Sequence, residues 1–258
     1  MASRLRITGV VLIIVGILAL GAAGYAFLRA QSGADALQGF SEAQDVTLSY
    51  NDEGQLIDRG TTEGGDAIYA LLGEDWHWPI DDGELNPDDP IVNTATEYMY
   101  QMATIAYHTL HGVQNVVLTE TVEWDGDGEE GIADDAPEYF GGEWDPATAN
   151  QDAIFNPGTY QVPVAERYWT GFERTHPLDG KAREQAWSGT VHGLFAELGV
   201  GATTASSLEM GLALAAMLAA FGAAFIIAGG GLVWAAWPAR VRAAQASGLS
   251  KEPAAARP

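Results

Sequence analysis

The chain has 258 residues, 35 acidic against 12 basic side chains for a net charge of -23, and no cysteine, which excludes a disulfide framework, a thiolate nucleophile and Cys-ligated zinc. All the acids except Glu209 and Glu252 fall in residues 30–207, where 33 acids face five basic residues. That balance argues against nucleic acid or an anionic lipid surface as the partner of this segment; it favours cations and basic partners, beside the plain reading of a solvated, self-repelling surface.

Residues 210–237, MGLALAAMLAAFGAAFIIAGGGLVWAAW, carry no ionisable side chain and exceed the roughly 20 residues a bilayer span requires. They predict a transmembrane helix, placed at 208–237. Ala216, Ala220, Ala224 and Ala228 recur every fourth position, with Gly211, Ala215, Ala219 and Ala223 beside them, a stripe that lets another helix approach closely in lipid. A first span is predicted at 7–28, an uncharged run between Arg6 and Arg29. It is longer than the roughly 7 to 15 apolar residues of a secretory signal, which favours a retained anchor over a cleaved leader. Gly16, Ala19, Ala23 and Ala26 give this span a matching stripe, so pairing within one chain is expected ahead of a homodimer.

Arg4 and Arg6 precede the first span and Arg240 and Arg242 follow the second, which places both termini in the cytoplasm and the acidic middle outside. Residues 1–6 are then a cytoplasmic N-terminus. Residues 238–258 are rich in Ala and Pro without apolar periodicity and are expected to be a disordered cytoplasmic tail.

Residues 29–207 are expected to form an acidic extracytoplasmic α+β domain, with a small antiparallel sheet or β-ribbon and two main helices. Segments 46–50 and 55–58 flank an Asn-Asp-Glu-Gly turn and suggest a hairpin. A short helix around 65–72 leads to an acidic, Pro-rich loop at 74–90 that tucks in Trp76 and Trp78. Thr94 and Glu97 have the spacing of a capping box, opening a helix that reaches about His111 and stops at Gly112. Its apolar face is Met99, Met102, Ala103, Ala106 and Leu110; Glu97, Gln101, Thr104, His108 and His111 lie on another.

The β-branched segment 116–124 predicts a strand whose partner is 158–164, with Pro163 at an edge or a strand end. Between them, 125–156 reads as an acidic inserted loop. The second main helix begins near Asp179, buries Trp187, Val191, Leu194 and Leu198, and is broken by Gly199 and Gly201 before the second span.

Two constellations carry metal-binding chemistry. His108 and His111, three apart on one helix, can face one centre as neutral imidazole ligands; a third ligand would be His77, His176, His192 or an acid, none at a diagnostic spacing. Asp125, Asp127 and Glu130 sit among glycines as in a calcium loop, without the full spacing of one. Ordinary surface histidines and a solvated acidic turn are the competing readings, and pH sensing by the two imidazoles is a third. Arg167, Arg174 and Arg183 are expected to form internal ion pairs. Ser188 and His192 lie four apart on one helix, with no third member or oxyanion hole identified.

The segments EYMYQMATIAYHTLHG (97–112), RYW (167–169), RTHPLDG (174–180) and AREQAWSGTVHGLFAELGVG (182–201) resemble an uncharacterised actinobacterial two-pass membrane protein family, over most of the chain outside the acidic loop and tail. Members of that group are sometimes labelled aromatic ring-opening dioxygenases. Such chemistry needs a non-haem iron site, usually two histidines and a carboxylate, for which His108, His111 and an unidentified acid are the handle here.

The expectation is therefore a two-pass protein of the cytoplasmic membrane whose outer domain is a non-catalytic binding, sensing or scaffold module of the cell envelope. Its partners would be the lipid bilayer, an envelope or membrane protein and, weakly, divalent cations, with no nucleic acid. No cofactor is predicted, and a divalent metal is the one the residues leave open. The alternative is an exported metal-dependent oxidoreductase or hydrolase using His108 and His111.

Overall fold

The computed structural model describes residues 2–126 and 131–249, with side chains described as far as residue 237. It is an α+β chain of five helices and two small mixed sheets. In chain order these are α1 (Ala2–Gln44), α2 (Thr62–Ala70), α3 (Ala95–Leu110), β1 (Val113–Leu118), β2 (Val122–Trp124), β3 (Glu138–Tyr139), β4 (Gly142–Glu143), β5 (Ala153–Phe155), β6 (Gly158–Pro163), α4 (Asp179–Ala186) and α5 (Gly189–Leu249). The residues fall into two units. One consists of 2–39 and 205–249, the other of 40–204.

In the first unit α1 and α5 run antiparallel. The apolar windows of the two helices are only 17% and 11% buried, the opposite of a soluble core helix. Ile7, Ile14, Ile17, Leu18, Phe221 and Ile227 are among the large side chains left exposed. Both helices are long and apolar enough to cross a membrane; the 7–28 stretch alone rises about 33 Å at 1.5 Å per residue.

Their seam repeats every seven residues. Gly9, Gly16, Ala23 and Ala30 are buried on α1, and Ala215, Gly222, Gly229 and Ala236 on α5. The backbones touch there: a Cβ built on Gly9 would lie 2.6 Å from the Gly229 carbonyl oxygen, and one on Gly16 2.6 Å from that of Gly222. A seven-residue repeat keeps one face turned to the partner only if the helices coil around each other left-handedly. This corrects the four-residue stripe, because Ala216, Ala220, Ala224 and Ala228 are all exposed. The steps of seven won because only residues in that register return to the partner along the whole contact.

The second unit is built around α3. Its capping box is present, with the Glu97 backbone N–H donating to Thr94 Oγ1 and the Thr94 N–H to Glu97 Oε2; His111 is its C-cap, and Gly112 turns out at φ 103°. Ala103, Ala106 and Leu110 are buried as their spacing suggested, but so are Tyr98 and Tyr100, because other elements cover the helix on more than one side. The Tyr98 hydroxyl meets Ser41 Oγ at 2.8 Å. A Cβ on Gly201 would lie 2.5 Å from the Tyr98 ring. Gly201 is therefore a packing glycine inside α5. The break expected at Gly199 and Gly201 falls instead at Trp187, where α4 ends and Ser188 opens α5.

The strand expected at 116–124 is two strands in two sheets. β1 pairs antiparallel with β6, Val116 opposite Tyr160, and β6 is the middle strand of the order β1-β6-β4. Pro163 thus marks a strand end. β2 pairs with β5 in the second sheet, β2-β5-β3. The segment read as an inserted loop supplies β3, β4 and β5; β3 and β4 pair in parallel with β5 and β6, so the sheets are mixed. Composition hid this because short strands with Gly and acids at exposed positions carry no apolar alternation. The hairpin near 50 is reduced to isolated bridges such as Tyr50 to Leu56. Residues 238–249, expected in the disordered tail, continue α5.

Candidate functional site

The cleft at the C-terminal end of α3 is assembled from three local decisions. Asn51 closes the hairpin turn, its Oδ1 accepting from the backbone of Glu53 and Gln55. The chain then turns back at Arg59 (φ 47°) and Gly60 (φ 83°), with Asp58 and Thr61 exchanging backbone hydrogen bonds. Thr61 caps α2 through the Gly64 N–H. Gly65 lets α2 lie against the hairpin: a Cβ there would sit 2.3 Å from the Leu56 carbonyl oxygen. The Tyr100 hydroxyl donates to the Gly65 carbonyl at 3.2 Å and ties this assembly to α3.

The result presents Asp58 to His108, Nε2 to Oδ1 at 2.9 Å. A carboxylate oxygen only accepts, so His108 carries its proton on Nε2. His111 donates from Nδ1 to the Tyr107 carbonyl at 2.8 Å, and its ring lies 4.0 Å from that of Tyr107. The cavity they line has a volume of about 510 Å³ and also exposes Arg59 and Glu63. The two histidines are thus in one cleft, each with its own hydrogen-bond partner. Among the described residues no three His, Cys, Asp or Glu side chains gather as a metal-binding group.

The calcium candidate divides. Asp127 and Glu130 lie outside the described residues, and Asp125 is described. Asp152 clamps the ends of that loop, accepting from the Gly126 N–H at 3.0 Å and the Ala133 N–H at 2.8 Å.

His176 is the residue whose role the sequence did not reveal. It is 2% exposed, with its ring stacked on Trp144 at 4.5 Å and set edge-on to Trp124 and Phe155. Its Nδ1 accepts from the backbone N–H groups of Leu178 and Asp179, the N-cap and first residue of α4. Burial brings its pKa down to about 4, with Arg167 acting in the same sense and the charges of Asp179 and Glu173 opposing. The ring is neutral.

Arg167 forms the expected ion pair, with the buried Asp179, and also donates to the carbonyls of Pro163 and Gly171. Arg183 does not. It lies over the Trp169 ring, 3.2 Å from the centroid, and donates to the Trp169 carbonyl; no carboxylate pairs with it among the described residues. Arg174 is exposed. Ser188 Oγ accepts from the Val191 N–H, and His192 Nδ1 donates to the Ser188 carbonyl, so this pair caps a helix and makes no nucleophile–base hydrogen bond.

Glu97 shows how far capping reaches into the core. It is 1% exposed, and desolvation raises its pKa against the lowering effect of the Asn93 and Thr94 N–H groups.

No protein-family model, no curated protein and no solved structure matches this chain.

Proposed function

We propose that this chain is a membrane-anchored binding module of the cell envelope, held in the cytoplasmic membrane by α1 and α5 and presenting residues 29–207 outside. The observation that carries the reading is the helix pair: backbones in contact along a seven-residue Gly/Ala seam, with large apolar side chains turned outward. Such a pair has no reason to expose so much apolar surface to water and a good one to expose it to lipid. The arginines at 4, 6, 240 and 242 support an orientation with both termini cytoplasmic. The acidic domain then meets cations and basic partner surfaces. Membership of the actinobacterial two-pass group belongs to the same proposal.

Reporters fused after Pro258 and inserted into the 81–89 loop test it. The first is expected to score cytoplasmic and the second extracytoplasmic; the reverse pattern overturns the orientation, and a protein recovered in the soluble fraction overturns the anchor.

One observation favours the enzymatic reading as second. The Asp58–His108 pair, beside Arg59 in an open cleft, resembles an oriented general base. Metal analysis of the detergent-purified protein with and without His108→Ala plus His111→Ala separates the two. Stoichiometric zinc or iron lost in the double variant would install the enzyme reading.

A further inference from the structure

A second cleft, with a volume of about 580 Å³, opens where α4 gives way to α5, lined by Trp169, Glu184, Trp187, Ser188 and His192. It shares no residue with the Asp58–His108 cleft. Its aromatic walls are fixed from behind. Arg183 lies over Trp169 and bonds to that residue's own carbonyl. The Trp187 indole N–H donates to the Arg167 carbonyl at 3.2 Å, Tyr168 stacks on Trp187 at 6.0 Å, and Arg167 is itself held by the buried Asp179. The His192 ring stands edge-on to Trp169 at 4.7 Å. Walls ordered before binding lose little entropy when a ligand arrives.

The polar inventory is acceptor-rich. Glu184 is a carboxylate; His192 donates from Nδ1 to the Ser188 carbonyl, and in the neutral imidazole this leaves Nε2 as an acceptor; the Ser188 hydroxyl accepts from Val191 and has its own proton to give. A ligand that suits this cleft offers an apolar face to an indole and hydroxyl donors along its rim. Charge narrows the choice. The surrounding segment, with 33 acids against five basic residues, repels anions. An organic cation is disfavoured as well, because the Arg183 guanidinium already occupies the π-system of Trp169, and a second cation there meets its repulsion.

We infer that the cleft lined by Trp169, Glu184 and His192 binds a neutral saccharide, one sugar ring stacking its C–H face on Trp169 with its hydroxyls donating to Glu184 and His192.

The test uses the full chain in detergent, with cellotetraose and chitotetraose as neutral probes and tetramethylammonium as the cationic one. Saturable perturbation of tryptophan fluorescence at millimolar saccharide, with saturation-transfer NMR concentrated on one face of a sugar ring, is expected. Trp169→Ala should weaken it at least tenfold, and so should Glu184→Ala, whose side chain is exposed. Asp58→Asn in the other cleft should leave it unchanged. The inference is overturned if neither saccharide saturates the signal, if tetramethylammonium binds in their place, or if Glu184→Ala binds as well as the parent.

Discussion

The helix pair and the acidic domain are held together by opposite means. In the pair, contact is made by the absence of large side chains: glycine and alanine at steps of seven bring two backbones together, and van der Waals packing between them is the attraction. In the domain, polar groups are taken inside and satisfied. Glu97 accepts two backbone N–H groups, His176 accepts two more inside an aromatic shell, and Arg167 reaches the buried Asp179. Each part is therefore fragile in its own way. Added volume damages the first, whereas an unpaired charge or a proton damages the second.

The largest effect should come from Arg167→Met. It leaves the Asp179 carboxylate buried and unpaired and is expected to cost the domain about 4 kcal/mol, read from urea unfolding of the 40–204 unit in the detergent-solubilised chain. Asp179→Asn in the same background should recover part of the loss; failure to do so would show that Arg167 acts through its carbonyl contacts.

Acid comes next. His176 has a folded pKa of about 4 against roughly 6.5 when unfolded. Between those values the unfolded chain holds a proton that the folded one refuses, so domain stability should fall by about 3 kcal/mol as pH drops from 6.5 to 4, and be intact above that window. His176→Asn keeps an acceptor for the Leu178 and Asp179 N–H groups and should flatten this slope. Glu97, whose pKa is raised, works in the other direction and favours the folded state at low pH. The difference between parent and variant therefore isolates the histidine.

The helix pair should answer to volume alone. Gly16→Val forces a side chain into the Gly222 backbone and is expected to cost about 2 kcal/mol of pairing, visible as loss of disulfide crosslinking between cysteines introduced at positions 12 and 226. Ala220→Val, on the exposed stripe, should leave that crosslink intact. If the two variants behave alike, the seven-residue seam is not the contact. The smallest effect is expected from Thr94→Ala, about 1 kcal/mol for a lost cap; because the Thr94 side chain also helps hold the Glu97 pKa down, its loss raises that pKa further.

Local signals were legible to different depths. The capping box at Thr94 and Glu97, the end of α3 at Gly112 and the β1–β6 pairing could be read because each depends on a few neighbouring residues or on a long β-branched run. The split of 116–124 into two sheets could not, since the turn after Leu118 carries no Gly or Pro and its reason lies in which distant strand each half meets. The candidate site was half visible. His108 and His111 could be placed on one helix face, but Asp58, fifty residues earlier, reaches His108 only because α2 lies on the hairpin through Gly65. Arg183 looked like an ion-pair donor, and only proximity to Trp169 made it a stacking partner.

What the sequence determined by itself is whatever composition and short period dictate: two long apolar helices, an acidic segment between them, and the capped helix at its centre. Which of several equally apolar faces is used, and which polar groups go inside, depends on neighbours distant in the chain. Two small-residue stripes were written on α5, and the choice between steps of four and steps of seven belongs to the partner helix. His176 is one histidine among five in the sequence; the three aromatic rings that close over it, drawn from β2, β5 and the segment after β4, are what make it neutral, buried and sensitive to acid.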